Sequence, residues 1–412
     1  MSSPSKSTDE VTQTKARSVA HGKTVVEYDG PVLPAHFSSL DGFRGLAVLL
    51  VMFIHFGNNA KSLGYDNIIT KLSSIGWIGV DLFFVLSGFL ITRILYDAKT
   101  KPNYFSRFYI RRTLRIFPLY YLAIVVVSLI YALWPFADLS WPDNPLFVVF
   151  YLTNFLIAAG GSGGMLDHFW SLAVEEHFYL IWPFVVLKFA RRQLMMVALL
   201  VIVAAPLLRT YFVLNGYNEY TAYMLTPCRM DSLAMGAFVA LAVCGSGFSA
   251  QVSRAAWTAV IIGGGAVAFI FFGLRMFSPS EPLIGSIGFS IIGVAAAGLL
   301  VLTVVWKPLH TLFSLPVMRW FGKYSYGLYV WHPIIGMLVF YSGLREQFPA
   351  SVQNSLIWLW LAVGLSLAVA WLSFNLWEAQ FLRLKDKLAA APPRLPRAQA
   401  IQQGSAGGNI AD

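Results

Sequence analysis

This chain has little charge and almost no cysteine. Charged residues are 12% of its 412 residues against 57% hydrophobic ones, and a soluble protein of that length needs far more polar surface. Two cysteines, Cys228 and Cys244, are too few for a thiolate metal cluster. If they cap opposite ends of one helix, about 24 Å of helical rise separates them, beyond the reach of a disulfide. The opening residues contain no apolar core of the kind that marks a cleavable leader. No internal repeat is visible. The run Gly160-Gly161-Ser162-Gly163-Gly164 follows no strand, so it is a flexible loop and not a phosphate cradle. The net charge of +10 falls between apolar stretches and forms no aromatic-interleaved basic stripe. That pattern argues against nucleic acid and for anionic lipid headgroups and cytosolic anions as partners.

What the chain does have is apolar stretches of membrane-spanning length. Ten are clear: 40–58, 77–96, 115–134, 169–188, 194–214, 230–244, 256–274, 283–306, 324–341 and 356–381. The stretch 146–159 is apolar but short, which suits a re-entrant or interfacial segment. Charge decides between ten spans and eleven. With the N-terminus inside, ten spans put Lys99 to Arg115, Lys188 to Arg192, Lys307 to Lys323 and the basic C-terminal tail together on the cytosolic side. The expected fold is an all-α polytopic bundle of about ten transmembrane helices with both termini cytosolic. A single membrane domain, 40–382, is expected between polar, disordered tails at 1–39 and 383–412.

Two ionisable residues stand inside the first apolar stretch. Eleven residues separate Arg44 from His55, which at about 100° each brings them to within roughly 20° of one another and about 16 Å apart along the helix. Ionisable groups in a membrane helix usually face a polar cavity and mark a pathway or a reaction centre. With the fourth span running inward, Glu175 and Glu176 come to a similar outer depth to His55. A carboxylate beside an imidazole can fix its tautomer and raise its basicity, so Glu175 is expected to orient His55 as a general base. On the cytosolic side Arg107, Arg111, Arg112 and Arg115 precede the third span. Guanidinium forks at that density suit a polyphosphate, although the same residues also serve topology and lipid headgroups. Glu176 and His177 read as packing residues, and Asp81, Arg229 and Asp231 as charges that lock helices together. The outer loop 135–168 is expected to line an acceptor entrance, with Asp167 and His168 beside it.

The segments Leu40-Asp41-Gly42-Phe43-Arg44-Gly45-Leu46 with His55, Gly79 to Leu90, Arg111-Arg112 continuing to Arg115-Ile116-Phe117-Pro118, Trp170-Ser171-Leu172 with Glu175, Arg229-Met230-Asp231-Ser232-Leu233, and Tyr324-Ser325-Tyr326-Gly327-Leu328-Tyr329 with His332-Pro333 occur in this order. Together they resemble the acyltransferase-3 family of integral membrane acyltransferases, over about residues 37–382. The resemblance implies transfer of an acyl group, most often acetyl, from cytosolic acyl-CoA to a hydroxyl of a glycan such as O-antigen, exopolysaccharide or peptidoglycan. A small secreted metabolite is the other acceptor class in the family. It further implies a multi-pass protein of the bacterial inner membrane, with acyl-CoA as co-substrate and no bound cofactor or metal. By the same resemblance His55, Glu175 and Arg44 are the catalytic candidates. Arg111, Arg112, Arg115, His332 and Trp170 are the substrate-binding candidates. For His332 two readings stay open, contact with the acyl pantetheine or an internal hydrogen bond. The chain departs from the family pattern at Trp377-Glu378-Ala379-Gln380, which lacks a proline after the glutamate. No hydrolase-like domain follows the last span, so acceptor handling is expected in the membrane domain or a partner. From a different class, a proton-coupled transporter also uses buried His, Arg and Glu, but inverted repeats and paired interrupted helices are missing.

Overall fold

In a computed structural model, residues 36–134 and 139–390 are described. Their architecture is all-α, with no strand among the described residues. Ten long helices dominate: α1 (Ser38–Ser62), α2 (Ile78–Ala98), α3 (Tyr104–Leu133), α4 (Phe169–Lys188), α5 (Arg191–Leu214), α6 (Thr226–Ser246), α7 (Ala250–Gly273), α8 (Ile284–Val305), α9 (Pro316–Tyr341) and α10 (Ile357–Lys385). Nine are long and apolar enough to cross a membrane among the described residues. The tenth, α4, is twenty residues long, but Glu175, Glu176 and His177 at its middle lower its hydropathy. Glu175 and Glu176 line a cavity within the bundle, and His177 Nδ1 lies 2.7 Å from Thr226 Oγ1.

Helix boundaries match the apolar stretches except where polar residues open a helix. Helix α3 starts at Tyr104 and α9 at Pro316, well before the apolar runs that announce them. Arg107, Arg111, Arg112 and Arg115 therefore lie within α3 and do not precede it, because arginine is a good helix former and a side chain can snorkel along the first turns. Helix α1 begins at Ser38 and helical structure continues from Ala379 to Ala390, so both expected tail boundaries fall within helices. Residues 1–35 and 391–412, the rest of the expected tails, lie outside the described residues.

Helix direction settles the doubtful segment. Phe84 meets Trp170, Ser87 bonds Tyr179, and Trp182 Nε1 donates to Thr92 Oγ1 at 2.8 Å, so α4 runs parallel to α2. Along α1 and α9, Asp41 meets Gly322 and His55 meets His332, again in parallel. Both relations require that 146–159 does not cross. It does not: the segment is broken into two short helices, Pro145–Val149 and Thr153–Ala158, by Tyr151, whose φ of 58° interrupts the helical path.

Two devices hold the bundle together. The first is close backbone approach. A Cβ at Gly322 would lie 1.8 Å from the Asp41 carbonyl oxygen, and one at Gly236 would lie 1.9 Å from that of Val85. Only glycine permits these crossings of α9 on α1 and of α6 on α2. The second is a set of fully buried ion pairs, as the sequence suggested for Asp81, Arg229 and Asp231. Arg229 Nη2 donates to Asp81 Oδ1 at 2.9 Å, and Arg209 Nη2 donates to Asp231 Oδ2 at 2.9 Å. Ser290 Oγ adds a bond of 2.6 Å to Asp231 and Ser232 Oγ one of 2.8 Å to Asp81, so α2, α5, α6 and α8 are joined at one point. Cys228 and Cys244 are both buried in α6 as free thiols.

Two outcomes follow. Cysteine at Ser162, in the loop before α4, should react with an impermeant thiol reagent outside intact cells. Cysteine at Lys188, at the far end of α4, should react only after permeabilisation, and the reverse pattern would restore an eleventh span. Gly322→Ala should destabilise by about 1–3 kcal/mol through overpacking, read as a lowered thermal midpoint in detergent. Gly264→Ala, which faces open space, should show no such drop.

Candidate active site

A cavity of about 760 Å³ opens among α1, α2, α3, α4, α9 and α10, within the range of pockets that hold a large cofactor-like ligand. It gathers four of the expected site residues, Arg44, Arg112, Arg115 and Glu175. Each arrives by helical spacing. On α3, Arg112 and Arg115 are three apart, share a face and line the cavity, while Arg111, about 100° from Arg112 and about 40° from Arg115, does not line it. On α4, Ser171, Glu175 and Tyr179 recur every four residues and present one polar stripe. Trp170 lies off that stripe, packed between Phe84 at 6.2 Å and Tyr223 at 4.9 Å between ring centroids. It is a core residue here and not part of the cavity.

The charges in the cavity are arranged as a network. Tyr179 donates its single hydroxyl proton to Glu175 Oε2 at 3.1 Å, so the hydrogen bond between Ser87 and Tyr179 has Ser87 as donor. The Arg112 guanidinium lies over the Tyr179 ring, 5.3 Å from its centroid, and within electrostatic range of Glu175 and Glu176. Arg44 is 3.9 Å from Asp41 one turn earlier, and Asp41 in turn is 3.0 Å from His36 Nε2. Across the cavity Tyr326 donates to the Ile116 carbonyl at 2.7 Å. Arg319 and Lys323 also line it, adding positive charge from α9.

Glu378, which the departure from the family pattern left without a role, is a lining residue of the same cavity. It accepts a hydrogen bond of 3.3 Å from Ser373. It closes a π-helical turn, Phe374–Glu378, a local widening of the helix that is frequent at functional sites. Ser87, Tyr326 and Tyr329 lie in the quoted motifs but had no role assigned to them, and Tyr179 was not singled out at all. The four-residue step from Glu175 to Tyr179 and the three-residue step from Tyr326 to Tyr329 were the available signals.

His55 is placed differently from expectation. It does not line the cavity, and it is not paired with Glu175. Its Nδ1 lies 2.8 Å from the Val51 carbonyl and 3.2 Å from His332 Nε2, with the two rings 4.9 Å apart and edge-on. His332 is fully buried, and its Nδ1 lies 2.6 Å from the Leu328 carbonyl. Glu175 is not level with His55: the start of α4 already lies beside Tyr329 and Val330, and Glu175 follows seven residues, about 10 Å, further inward, in the cavity with Arg44. Tyr329 stands between the cavity, which it lines, and the histidine pair, its ring 6.2 Å from that of His332. Its hydroxyl donates to the His168 carbonyl at 2.9 Å and is hydrogen-bonded to Ser171. His168, the last residue before α4, donates from Nε2 to the Val330 carbonyl at 3.1 Å. The loop expected to line an acceptor entrance thus reaches Tyr329 and Val330 through His168, two to three residues before His332 on α9.

A family model described as an acyltransferase domain matches residues 37–374. The peptidoglycan O-acetyltransferase OatA of Listeria monocytogenes is 31% identical over 320 residues, covering 72% of this chain and 49% of that protein. A putative peptidoglycan O-acetyltransferase of Bacillus subtilis, YrhL, is 30% identical over 325 residues, covering 73% of this chain and 49% of its own length. An O-acetyltransferase OatA of Staphylococcus aureus is 28% identical over 337 residues, 77% of this chain and 54% of that protein. The chain therefore spans about half the length of the curated relatives it matches. No solved structure matches. A match across most of the chain, on an all-α multi-pass bundle whose cavity collects the arginines and the glutamate of the shared motifs, makes this protein a member of the acyltransferase family that the model describes.

Proposed function

We propose that this chain is a membrane O-acyltransferase that moves an acetyl group from cytosolic acetyl-CoA to a hydroxyl of an exported cell-wall glycan. The observation that carries the reading is the single cavity in which Arg44, Arg112 and Arg115 converge with Glu175. Guanidinium forks bind phosphate oxygens in pairs, and a cavity of about 760 Å³ lined also by apolar side chains such as Leu86, Leu90 and Ile116 suits a pantetheine arm. The relatives' names supply the acetyl group and, for two of them, the peptidoglycan acceptor. The positive-inside pattern favours a cytosolic mouth.

In this reading the phosphates of the donor dock on Arg112 and Arg115, with Arg319 and Lys323 adding charge at the same cavity. Glu175 acts on the guanidiniums and not on the imidazole: with Tyr179 it holds Arg112 in place. The arm then runs past Arg44 towards Tyr329, beyond which lies His55. His55 removes the proton from an acceptor hydroxyl as its oxygen attacks the thioester carbonyl. The tetrahedral intermediate collapses by breaking the carbon–sulfur bond, and the imidazolium returns its proton to the departing thiolate. The products are an ester on the acceptor and free CoA.

His55→Ala should abolish CoA release from acetyl-CoA in the presence of a muropeptide-derived glycan while the protein remains inserted, since a missing general base costs about 10² to 10⁴ in rate. Near-parental turnover would remove His55 from the reaction. Replacing Arg112 and Arg115 together by Gln should raise the acetyl-CoA concentration needed for half-maximal rate by about tenfold or more, because each charge-assisted hydrogen bond contributes roughly 1.5–3 kcal/mol. Orientation should be kept by Lys99, Lys101, Arg107 and Arg111. Unchanged donor dependence together with inverted topology would assign the two arginines to helix orientation only.

A further inference from the structure

We infer that His332 is the positioning residue of the reaction centre: it accepts the Nδ1 proton of His55 and thereby holds Nε2 of His55 as the basic nitrogen. The inference rests on the reading of His55 as general base and names the group that makes it one. It also decides between the two uses left open for His332, in favour of the internal hydrogen bond and away from contact with the donor.

The argument is one of donors and acceptors. A backbone carbonyl can only accept, so His332 Nδ1, 2.6 Å from the Leu328 oxygen, carries a proton. A neutral imidazole has one such proton, so His332 Nε2 presents a lone pair. That lone pair faces His55 Nδ1 at 3.2 Å. His55 Nδ1 also faces the Val51 carbonyl at 2.8 Å, another acceptor, so it too carries its proton and shares it between the two. The lone pair of His55 is thereby confined to Nε2. Val51 alone fixes the tautomer but belongs to the same helix. His332 approaches from α9, edge-on to the His55 ring, so it fixes the plane of that ring against a second helix. It also takes a stronger hydrogen bond from Nδ1 once Nε2 has bound the substrate proton. A carboxylate does this for a histidine in the Ser-His-Asp arrangement. Here the only acidic candidate from the sequence, Glu175, is engaged by Tyr179 in the cavity, and a neutral imidazole of fixed tautomer occupies the place.

Two near-isosteric substitutions separate this role from packing. The amide of His332→Gln can put an oxygen where Nε2 stands and keep the acceptor towards His55. The shorter amide of His332→Asn can keep the bond to Leu328 but leaves His55 Nδ1 without its partner on α9. With detergent-purified full-length protein, acetyl-CoA and muropeptide-derived glycan, kcat of His332→Asn should fall by about 10- to 100-fold, the usual cost of losing the group that orients a functional histidine. The KM for acetyl-CoA should stay within about threefold in both variants, and His332→Gln should keep kcat within about fivefold of the parent. Adding His332→Asn to His55→Ala should cause no further loss, since the two act as a unit. Parental kcat in His332→Asn, equal losses in both variants, or a raised KM as the main defect would each overturn the assignment. Should His55→Ala itself turn over normally, the general-base reading falls and this role with it. An inactive His55→Ala beside a fully active His332→Asn overturns the positioning role alone.

Discussion

The contact of α1 with α9 is the constraint on which the remaining geometry depends. Both helices carry polar residues at two levels, and their parallel packing brings like levels together: Asp41 and Arg44 beside Gly322 and Tyr326, His55 beside His332. The approach is close because Gly322 has no side chain to oppose the Asp41 carbonyl. Between parallel helices in direct contact, registry at one level fixes registry at the next, since each rises about 1.5 Å per residue. Fourteen residues on from Asp41 and ten on from Gly322, the two imidazoles still meet, the difference being taken up by the crossing and by side-chain reach. A shift of one turn at the cavity would therefore part the histidines as well.

The opposite side of the bundle is fixed by charge. Arg209, Arg229, Asp81 and Asp231 have no exposure at all, and an unpaired charge in that position would cost about 3–5 kcal/mol. They leave α2 with little freedom to slide on α6, and α2 carries Ser87 to the cavity while packing against α4. The cavity thus lies between one wall held by ion pairs and another held by glycine contact. Its remaining wall, α3 and α10, carries the more exposed arginine Arg115 and the π-helical turn at Glu378. The hydrogen bond from Trp377 Nε1 to the Pro118 carbonyl at 3.0 Å joins these two helices.

Much of this was legible from residue order alone. Apolar runs located the helices, and charge bias chose ten spans over eleven, a choice that the parallel course of α2 and α4 supports. Motif order singled out Arg44, Arg112, Arg115 and Glu175, but it set Glu175 beside His55 and apart from the arginines, whereas all four line one cavity. The pairing of Glu175 with His55 was not legible. Counting residues from a helix end gives depth only where that end lies at the membrane face, because rise per residue is constant. Helix α4 begins inside the bundle, where His168 already meets Val330, so Glu175, seven residues further inward, lies about 10 Å deeper and joins Arg44 in the cavity. Trp170, adjacent in sequence to a cavity residue, turns about 100° away into the core.

The division between the arginine-lined cavity and the histidine pair limits how any transfer can proceed. On the function proposed above, a donor held by its phosphates on Arg112 and Arg115 would present only its distal end to His55, past Tyr329, which lines the cavity and lies 6.2 Å from the His332 ring. Tyr329 is tied to Ser171 and to the His168 carbonyl, so the partition is built from the start of α4 and from α9, the two helices that also carry Glu175 and His332. Arg44 lies on the donor side of this partition, one long helical interval from His55. In the proposed reaction that position would let it steer the donor but leaves it far from an oxyanion beside the imidazole. For the transfer proposed above, such a partition would keep the donor's reacting end on the cavity side of Tyr329 until it meets His55 and the acceptor hydroxyl.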